Sequence, residues 1–114
     1  MRDIDRTLRA LADPARRGAI EILRKGPRRA SEIAVGLELS RPAMSRHLRV
    51  LRKSGLVEEE HPEEDARVRL YRLKPEAFGA LRRWLDEVER FWSGELDAFR
   101  SYAEGTRGKG KRRS

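Results

Sequence analysis

The stretch from Ser40 to Gly55 is the feature that most restricts how this chain can fold. Ser40 can accept a hydrogen bond from the free N–H groups of a first helical turn, and Pro42 suits that turn because it has no N–H. Gly55 is the residue type that most often ends a helix. Between these signals, apolar side chains recur at i, i+4 and i+7, which predicts a helix with one narrow buried face: Met44, Leu48 and Leu51.

The remaining surface of this helix carries positive charge only. From Arg41 to Ser54 there are four arginines, one lysine and no acidic residue. A solvated surface helix would be expected to mix both signs, because like charges on one face repel one another. The pattern therefore favours contact with DNA, with the helix in the major groove. The candidate DNA-binding residues on this face and its flanks are Arg41, Pro42, Ser45, Arg46, Arg49, Arg52 and Lys53.

Caps and apolar periodicity also place the helices that precede this segment. Asp13 can cap a helix that Pro14 begins, and Gly26–Pro27 marks its end. Together with the helix that Ser40 opens, we expect a first helix after Asp3 and further helices over residues 14–24 and 30–37.

Two strands are predicted after Gly55, Leu56–Glu60 and Arg67–Leu73, around an acidic turn at residues 62–65. The apolar parity of the second strand is imperfect, so a bulge or an exposed hairpin is expected there. A long helix follows from Pro75, with a bend or break at Ser93–Gly94. This order predicts a mainly α fold with a small β-hairpin, the winged helix-turn-helix.

The last helix has an unusually wide apolar stripe. Core packing alone is one explanation, but the stripe exceeds what so small a domain can cover, which favours a symmetric dimer. The residues of the stripe that we assign to the dimer interface are Leu85, Val88, Phe91, Trp92, Leu96 and Phe99.

Most of the net positive charge of the chain is concentrated in its last ten residues. The formal net charge is +8, but Gly105–Ser114 holds five cations and no acid, so residues 1–104 carry only +3. We expect one DNA-binding and dimerisation domain over residues 1–104 and a disordered basic tail over residues 105–114. The tail is either an arm that contacts phosphate or a solvated segment with no specific role.

Enzymatic and metal-binding functions receive little support. There is no Gly-rich phosphate loop and no nucleophile beside a base, and the clustered carboxylates belong to a solvated hairpin. The chain has no cysteine, and His47 and His61 lack partners at metal-ligand spacing, so neither a metal nor another cofactor is expected. No signal peptide or apolar run of membrane-spanning length is present, which makes a cytoplasmic protein the default expectation.

Three segments, residues 10–26, 39–60 and 67–73, closely resemble the ArsR family of bacterial winged-helix transcription regulators. The resemblance covers about Ile4 to Leu85, and Trp84–Phe99 looks like a metal-independent branch. It implies a homodimeric, operator-binding repressor whose first and last helices form the interface. The residues that it adds to the interface are Ile4, Leu8 and Leu11. Those that it implies at the DNA surface are Ser40, Pro42, Ser45, Arg46 and His47, with Arg67 and Arg69 in the wing.

The chain departs from the family pattern in four places. Metal-sensing members carry a cysteine pair in the third helix, where this chain reads SEIAVGL, and the last helix has no histidine, so no metal effector is expected. Glu38 stands where the turn before the recognition helix usually has glycine, which puts the turn geometry in question. The tip of the wing is acidic, at Glu63, Glu64 and Asp65, and phosphate is expected to repel it.

These observations predict a homodimeric transcriptional regulator, a repressor of its own operon, that binds a double-stranded operator with an inverted repeat. The alternative is an architectural protein that binds nucleic acid without sequence preference through its basic tail. A third class, a winged helix used for protein contacts, is disfavoured by the acid-free helix. A regulator should prefer its operator over random duplex by at least ~10³-fold.

Overall fold

A computed structural model describes residues 3–62 and 67–110, with side chains as far as residue 105. Two compact units divide the chain, residues 1–81 and 82–114. The predicted order of helices and hairpin is confirmed. The elements are α1 (Asp3–Leu11), α2 (Pro14–Leu23), α3 (Ala30–Leu37), α4 (Arg41–Lys53), β1 (Val57–Glu60), β2 (Leu70–Leu73), a short 3-10 helix (Pro75–Phe78) and α5 (Gly79–Gly110).

The start of α2 is fixed by the side chain of Asp13. Its Oδ1 accepts hydrogen bonds from the N–H of Ala15 at 2.7 Å and of Arg16 at 3.4 Å. Partial burial raises the pKa of Asp13, but these two hydrogen bonds and the charges of His47 and Arg16 outweigh it, and the pKa lies below its ordinary value. The predicted cap is therefore confirmed, and it favours the ionised carboxylate.

The turn between α3 and α4 depends on an unusual backbone conformation. Glu38 takes the left-handed conformation, with φ 55°. This lets its N–H donate to the carbonyl of Val35 and the N–H of Leu39 donate to that of Ala34, at 2.9 Å, so the last carbonyls of α3 are satisfied. Glu38 thus adopts the conformation for which glycine is usual, at a steric cost that glycine avoids.

Two cap residues delimit the recognition helix α4 as predicted. The hydroxyl of Ser40 accepts from the N–H of Ala43 at 3.2 Å. At the other end Gly55 has φ 81°, its N–H donates to the carbonyl of Arg52, and the N–H of Leu56 donates to that of Leu51, both at 3.0 Å. The chain then enters β1 at the next residue, so very little backbone separates α4 from the wing.

The predicted apolar face of α4 lies at the centre of the core. Met44, Leu48 and Leu51 have at most 1% of their surface exposed. Burial of each such side chain contributes roughly 1.5–3 kcal/mol. The other large, fully buried side chains come from three neighbouring segments: Leu23, Ile33 and Leu56. This core fixes which side of α4 is left to face outward.

The hairpin is shorter than predicted. β2 begins at Leu70 rather than Arg67, and β1 and β2 pair residue for residue from Val57↔Leu73 to Glu60↔Leu70, with no bulge. Val68 lies before the strand, which leaves Leu70 as the one apolar side chain of β2 on the face opposite to Tyr71 and Leu73. Residues 63–65, the predicted acidic tip, are outside the described residues.

Tyr71 anchors the wing to the rest of the domain. Only 8% of Tyr71 is exposed, and Leu73 on the same face of β2 also packs against the core. The N–H of Tyr71 donates to the carbonyl of Arg28 at 2.8 Å, and the N–H of Arg28 donates back at 3.1 Å. Arg28 therefore adds a one-residue bridge to the two-stranded sheet.

The last helix differs from its prediction in three respects. Pro75 begins a 3-10 turn, and the α-helix itself begins at Gly79. No break occurs at Ser93–Gly94, and α5 continues past Glu104 to Gly110, where a disordered tail is predicted. Once a helix is nucleated, each added residue gains a hydrogen bond, and no proline interrupts this stretch, so isolated glycines weaken the helix without ending it.

Candidate nucleic-acid interface

The outward side of α4 carries the predicted DNA-binding residues. Met44, Leu48 and Leu51 hold the opposite side in the core, which leaves the polar positions accessible. The exposed candidates on this helix and its cap are Ser40, Arg41, Pro42, Ser45, Arg46, Arg49, Arg52 and Lys53. The helix therefore has an outer side without acidic residues along all thirteen of its residues.

The first turns of α4 and the base of the wing share a cleft. Arg41 and Ser45 line it from the helix, and Arg67 and Arg69 line it from the segment before β2. Its volume is about 370 Å³, and no acidic side chain lines it among the residues that the structure describes. Two sets of candidates that lie far apart in the sequence are thus brought together on one cationic surface.

Arg29 is a member of this cleft that the sequence interpretation missed. It lies directly before α3, and its backbone N–H donates to the carboxylate of Glu32 at 2.8 Å. Ser31 in the first turn of α3 also lines the cleft. The N-terminus of a helix attracts anions, because its free N–H groups and dipole are positive there. The detectable signal was a pair of arginines, Arg28 and Arg29, at the start of the first helix of the helix-turn-helix.

His47 and Arg52 are less simply placed than the sequence suggests. His47 is half-buried, and its Nδ1 lies 3.3 Å from Nη1 of Arg16 on α2. Nη1 of Arg52 pairs with the carboxylate of Glu59 on β1 at 2.9 Å, although nearly half of the arginine side chain is exposed. Both residues lie on α4 as predicted, but each already has a partner within the chain.

The carboxylate of Glu59 also accepts a hydrogen bond from the hydroxyl of Tyr71 at 3.1 Å. Burial and the negative charge of Glu59 raise the pKa of this hydroxyl. The tyrosine is therefore a neutral donor at physiological pH. The carboxylate of Glu59 thus links Arg52 at the end of α4 to Tyr71 in the wing.

The other two glutamates of β1 are paired with Arg72 on β2. Its guanidinium contacts the carboxylate of Glu58 and lies 3.8 Å from that of Glu60. These contacts raise the pKa of Arg72, with the hydrogen bond to Glu58 as the largest cause. One cation of the hairpin thus contacts two of the three carboxylates of β1.

The apolar stripe of the second unit is exposed. Between 50% and 70% of the surface of each large stripe residue on α5 is exposed, and Val88 is partly buried. The stripe residues with at least half of their surface exposed are Leu85, Phe91, Trp92, Leu96 and Phe99, and Tyr102 extends the same exposure further along the helix.

The three candidate interface residues on α1 differ in their exposure. Leu8 is 41% exposed, whereas Ile4 is buried within the single chain and Leu11 packs partly against the core. Leu8 is therefore the α1 candidate most available to a partner.

Within residues 3–62 and 67–105, whose side chains the structure describes, no group of three or more potential ligands could hold a metal ion. The same part of the chain contains no helix that is long and apolar enough to cross a membrane. The surface assembled from α3, α4 and the wing is instead a cationic one suited to a polyanion.

Comparison with known proteins agrees with this geometry. The model of the family described as bacterial regulatory proteins of the arsR family matches residues 13–59. HTH-type transcriptional regulator Rv2034 of Mycobacterium tuberculosis is 43% identical over 98 residues, which cover 86% of each chain. Transcriptional repressor SdpR of Bacillus subtilis is 30% identical over 54 residues, which cover 47% of this chain and 60% of that one.

A solved structure extends the similarity to the fold. The crystal structure of the ArsR family transcriptional regulator RHA00566 matches with a TM-score of 0.71 and 30% identity, over 81% of this chain and 98% of that one. The relatives are transcriptional regulators, a non-enzymatic class. The chain therefore belongs to the ArsR family of DNA-binding, winged helix-turn-helix transcriptional regulators.

Proposed function

We propose that this chain represses transcription by binding, as a homodimer, to an inverted-repeat operator near its own operon. The observation that carries the proposal is the acid-free outer side of α4, which meets the wing in a cleft lined by four arginines. A surface lined by one sign of charge attracts a polyanion. Similarity to a protein named a transcriptional repressor supports repression over activation.

In this proposal the first turns of α4 face base edges in the major groove. Arg41, Ser45 and Arg46 are exposed there, and the helix N-terminus is the part that reads bases in related motifs. A guanidinium can bond O6 and N7 of one guanine together, a contact that discriminates against other bases by ~1–3 kcal/mol.

The surrounding cations would hold the phosphate backbone. Arg49 and Lys53 lie further along α4, and Arg29, Arg67 and Arg69 surround the cleft. Each phosphate contact releases counterions, so these residues should supply affinity and salt dependence rather than sequence preference.

Dimerisation would cover the exposed stripe of α5 with a second copy. The chain is 40% charged, yet several large apolar side chains of α5 stay exposed to water unless a partner covers them. A two-fold dimer would present two copies of α4 at half-sites ~34 Å apart, one turn of duplex.

The proposal includes no metal effector, because no described cluster of side chains provides a metal site and the chain has no cysteine. It places the protein in the cytoplasm, together with the genome that it would regulate.

The test begins with selection of bound fragments from the source genome, followed by footprinting and an affinity series over single-base operator variants. Arg46→Ala should lower operator affinity and erase the preference at one position, because a base contact is lost. Lys53→Ala is the matched control, and it should weaken all duplexes alike. Equal losses on every variant for Arg46→Ala would show that α4 does not read sequence.

The rival function is non-specific, architectural binding. It is favoured by the five cations of the tail, which account for most of the net charge. An operator preference of at least ~10³-fold over random duplex would exclude it, and a preference near unity would establish it.

A further inference from the structure

We propose that Glu59 is a positioning residue that limits sequence-independent binding: it fixes the end of the recognition helix to the wing and keeps the charge of Arg52 away from DNA phosphate. This inference rests on the proposed DNA-binding function. It reassigns Arg52, which the sequence places among the direct contacts, to a role within the protein.

One carboxylate oxygen joins the two elements. Oε1 of Glu59 accepts from Nη1 of Arg52 at 2.9 Å and from the hydroxyl of Tyr71 at 3.1 Å. Only 17% of the Glu59 side chain is exposed, compared with 48% for Arg52. Hydrogen bonds between ionised groups are the stronger ones, and partial burial protects this pair from the screening that weakens most surface ion pairs.

The position of Glu59 is set by the sheet and not by Arg52. Glu59 lies directly opposite Tyr71 in the register of β1 and β2, so both side chains lie on one face of the hairpin. Tyr71 is itself buried and bridged through its backbone to Arg28. The carboxylate therefore has little freedom to follow Arg52 toward a ligand, and the arginine is held by a fixed anion.

The neighbours of Arg52 show what this restraint changes. Arg49, Arg52 and Lys53 line the same open cleft beside the wing, in which Glu58 and Glu59 are the acidic members among the described residues. Without Glu59, Arg52 would become a third cation able to reach the backbone from this end of α4. A backbone contact strengthens binding to every sequence, so affinity for random duplex would rise together with affinity for the operator.

The test is the salt dependence of binding for Glu59→Gln, measured on operator and on random duplex. Glutamine keeps the shape and can still accept from Tyr71, but it loses the charge that holds Arg52. One new phosphate contact should steepen the log–log salt slope on random duplex by about 0.9. Affinity for random duplex and for operator should both rise several-fold at 0.1 M salt.

Two further variants separate positioning from net charge. Glu58→Gln makes the same change in charge on the same strand, but it disturbs Arg72 of the wing, not the recognition helix. It should leave the salt slope and the affinity for random duplex close to wild type. The double variant Glu59→Gln/Arg52→Ala should return the slope to the wild-type value, because the released cation has been removed.

The possible outcomes distinguish positioning of Arg52 by Glu59 from effects of net charge or stability. If Glu58→Gln and Glu59→Gln change the salt slope and the affinity for random duplex equally, net charge accounts for the effect and the inference is wrong. A loss of affinity for Glu59→Gln with an unchanged slope would also overturn it, since Glu59 would then serve stability alone. Failure of the wild type to prefer any operator would refute the proposed function, while the slopes on random duplex would still decide whether Glu59 restrains Arg52.

Discussion

Nη1 of Arg16 on α2 lies 3.3 Å from Nδ1 of His47 on α4. The same guanidinium donates to the carbonyl of Ala10 at 2.6 Å and to that of Arg9 at 3.2 Å, at the end of α1. Because arginine can only donate, this contact is a hydrogen bond when Nδ1 of His47 carries no proton and accepts. One side chain thus connects three helices and orients the histidine of the recognition helix.

Replacement of Arg16 by methionine should therefore destabilise the domain by about 1–3 kcal/mol, because carbonyls at the end of α1 lose a charged donor. Chemical denaturation gives the measurement. Arg17→Met is the matched control, since Arg17 makes a single exposed hydrogen bond, to the carbonyl of Leu11 at 2.7 Å. A loss for Arg17→Met as large as that for Arg16→Met would contradict this account.

Glu38→Gly should make the protein more stable. The left-handed conformation strains a residue with a Cβ, while glycine loses more backbone entropy on folding, so the net gain should be about 0.5–1 kcal/mol. Glu38→Ala removes the same charge but keeps the Cβ, and it should show no such gain. Equal stabilisation by both substitutions would assign the effect to charge rather than to conformation.

The carboxylate of Asp13 should make stability depend on pH. Its pKa is lowered in the folded state, so its contribution is complete above the ordinary value of 3.8 and disappears as the pH falls through the folded pKa. Asp13→Asn can still cap α2 and should flatten this part of the acid unfolding curve. Asp13→Ala should in addition lower stability at pH 7. An unchanged acid limb for Asp13→Asn would contradict the assignment.

Removal of residues 105–114 should weaken binding to all duplexes by a similar factor and reduce the salt slope by about 0.9 for each tail cation that contacts phosphate. A variant of full length, with the five tail cations replaced by glutamine, should behave in the same way. If the slope of the truncated protein equals that of the full chain, the tail does not bind DNA.

Trp92→Glu combined with Leu96→Glu should convert the proposed dimer to monomers and abolish operator binding, because two charges would be placed in an apolar interface. Sedimentation equilibrium at micromolar concentration gives the measurement. Arg90→Glu with Ser101→Glu, on the opposite side of α5, is the control and should remain dimeric. A wild type that is monomeric at this concentration yet binds its operator would refute the dimer.

Local chemistry made part of the fold predictable. Asp13, Ser40 and Gly55 each cap a helix through their own side chain or backbone, so their roles could be assigned without knowledge of tertiary contacts. The apolar spacing of Met44 and Leu48 similarly fixed the buried face of α4.

The missed features depend on contacts distant in sequence. To predict the pairing of Arg52 with Glu59, one must know the direction in which the hairpin folds back on α4. The contact between Arg16 and His47 joins residues 31 positions apart. The start of β2 was misjudged because Val68 looks like a strand residue by itself, although its pairing partner decides where the ladder ends.

The direct junction between α4 and β1 has a mechanical consequence. Leu56 is fully buried, its N–H is bound to the last turn of α4, and its carbonyl accepts from Lys74 at the far end of β2. This junction contains no flexible linker, so the helix and the wing would rotate together as one rigid body when the protein binds or leaves a duplex. A signal acting anywhere on the hairpin would then tilt the reading helix in its groove, and release of DNA would need no ligand near the bases.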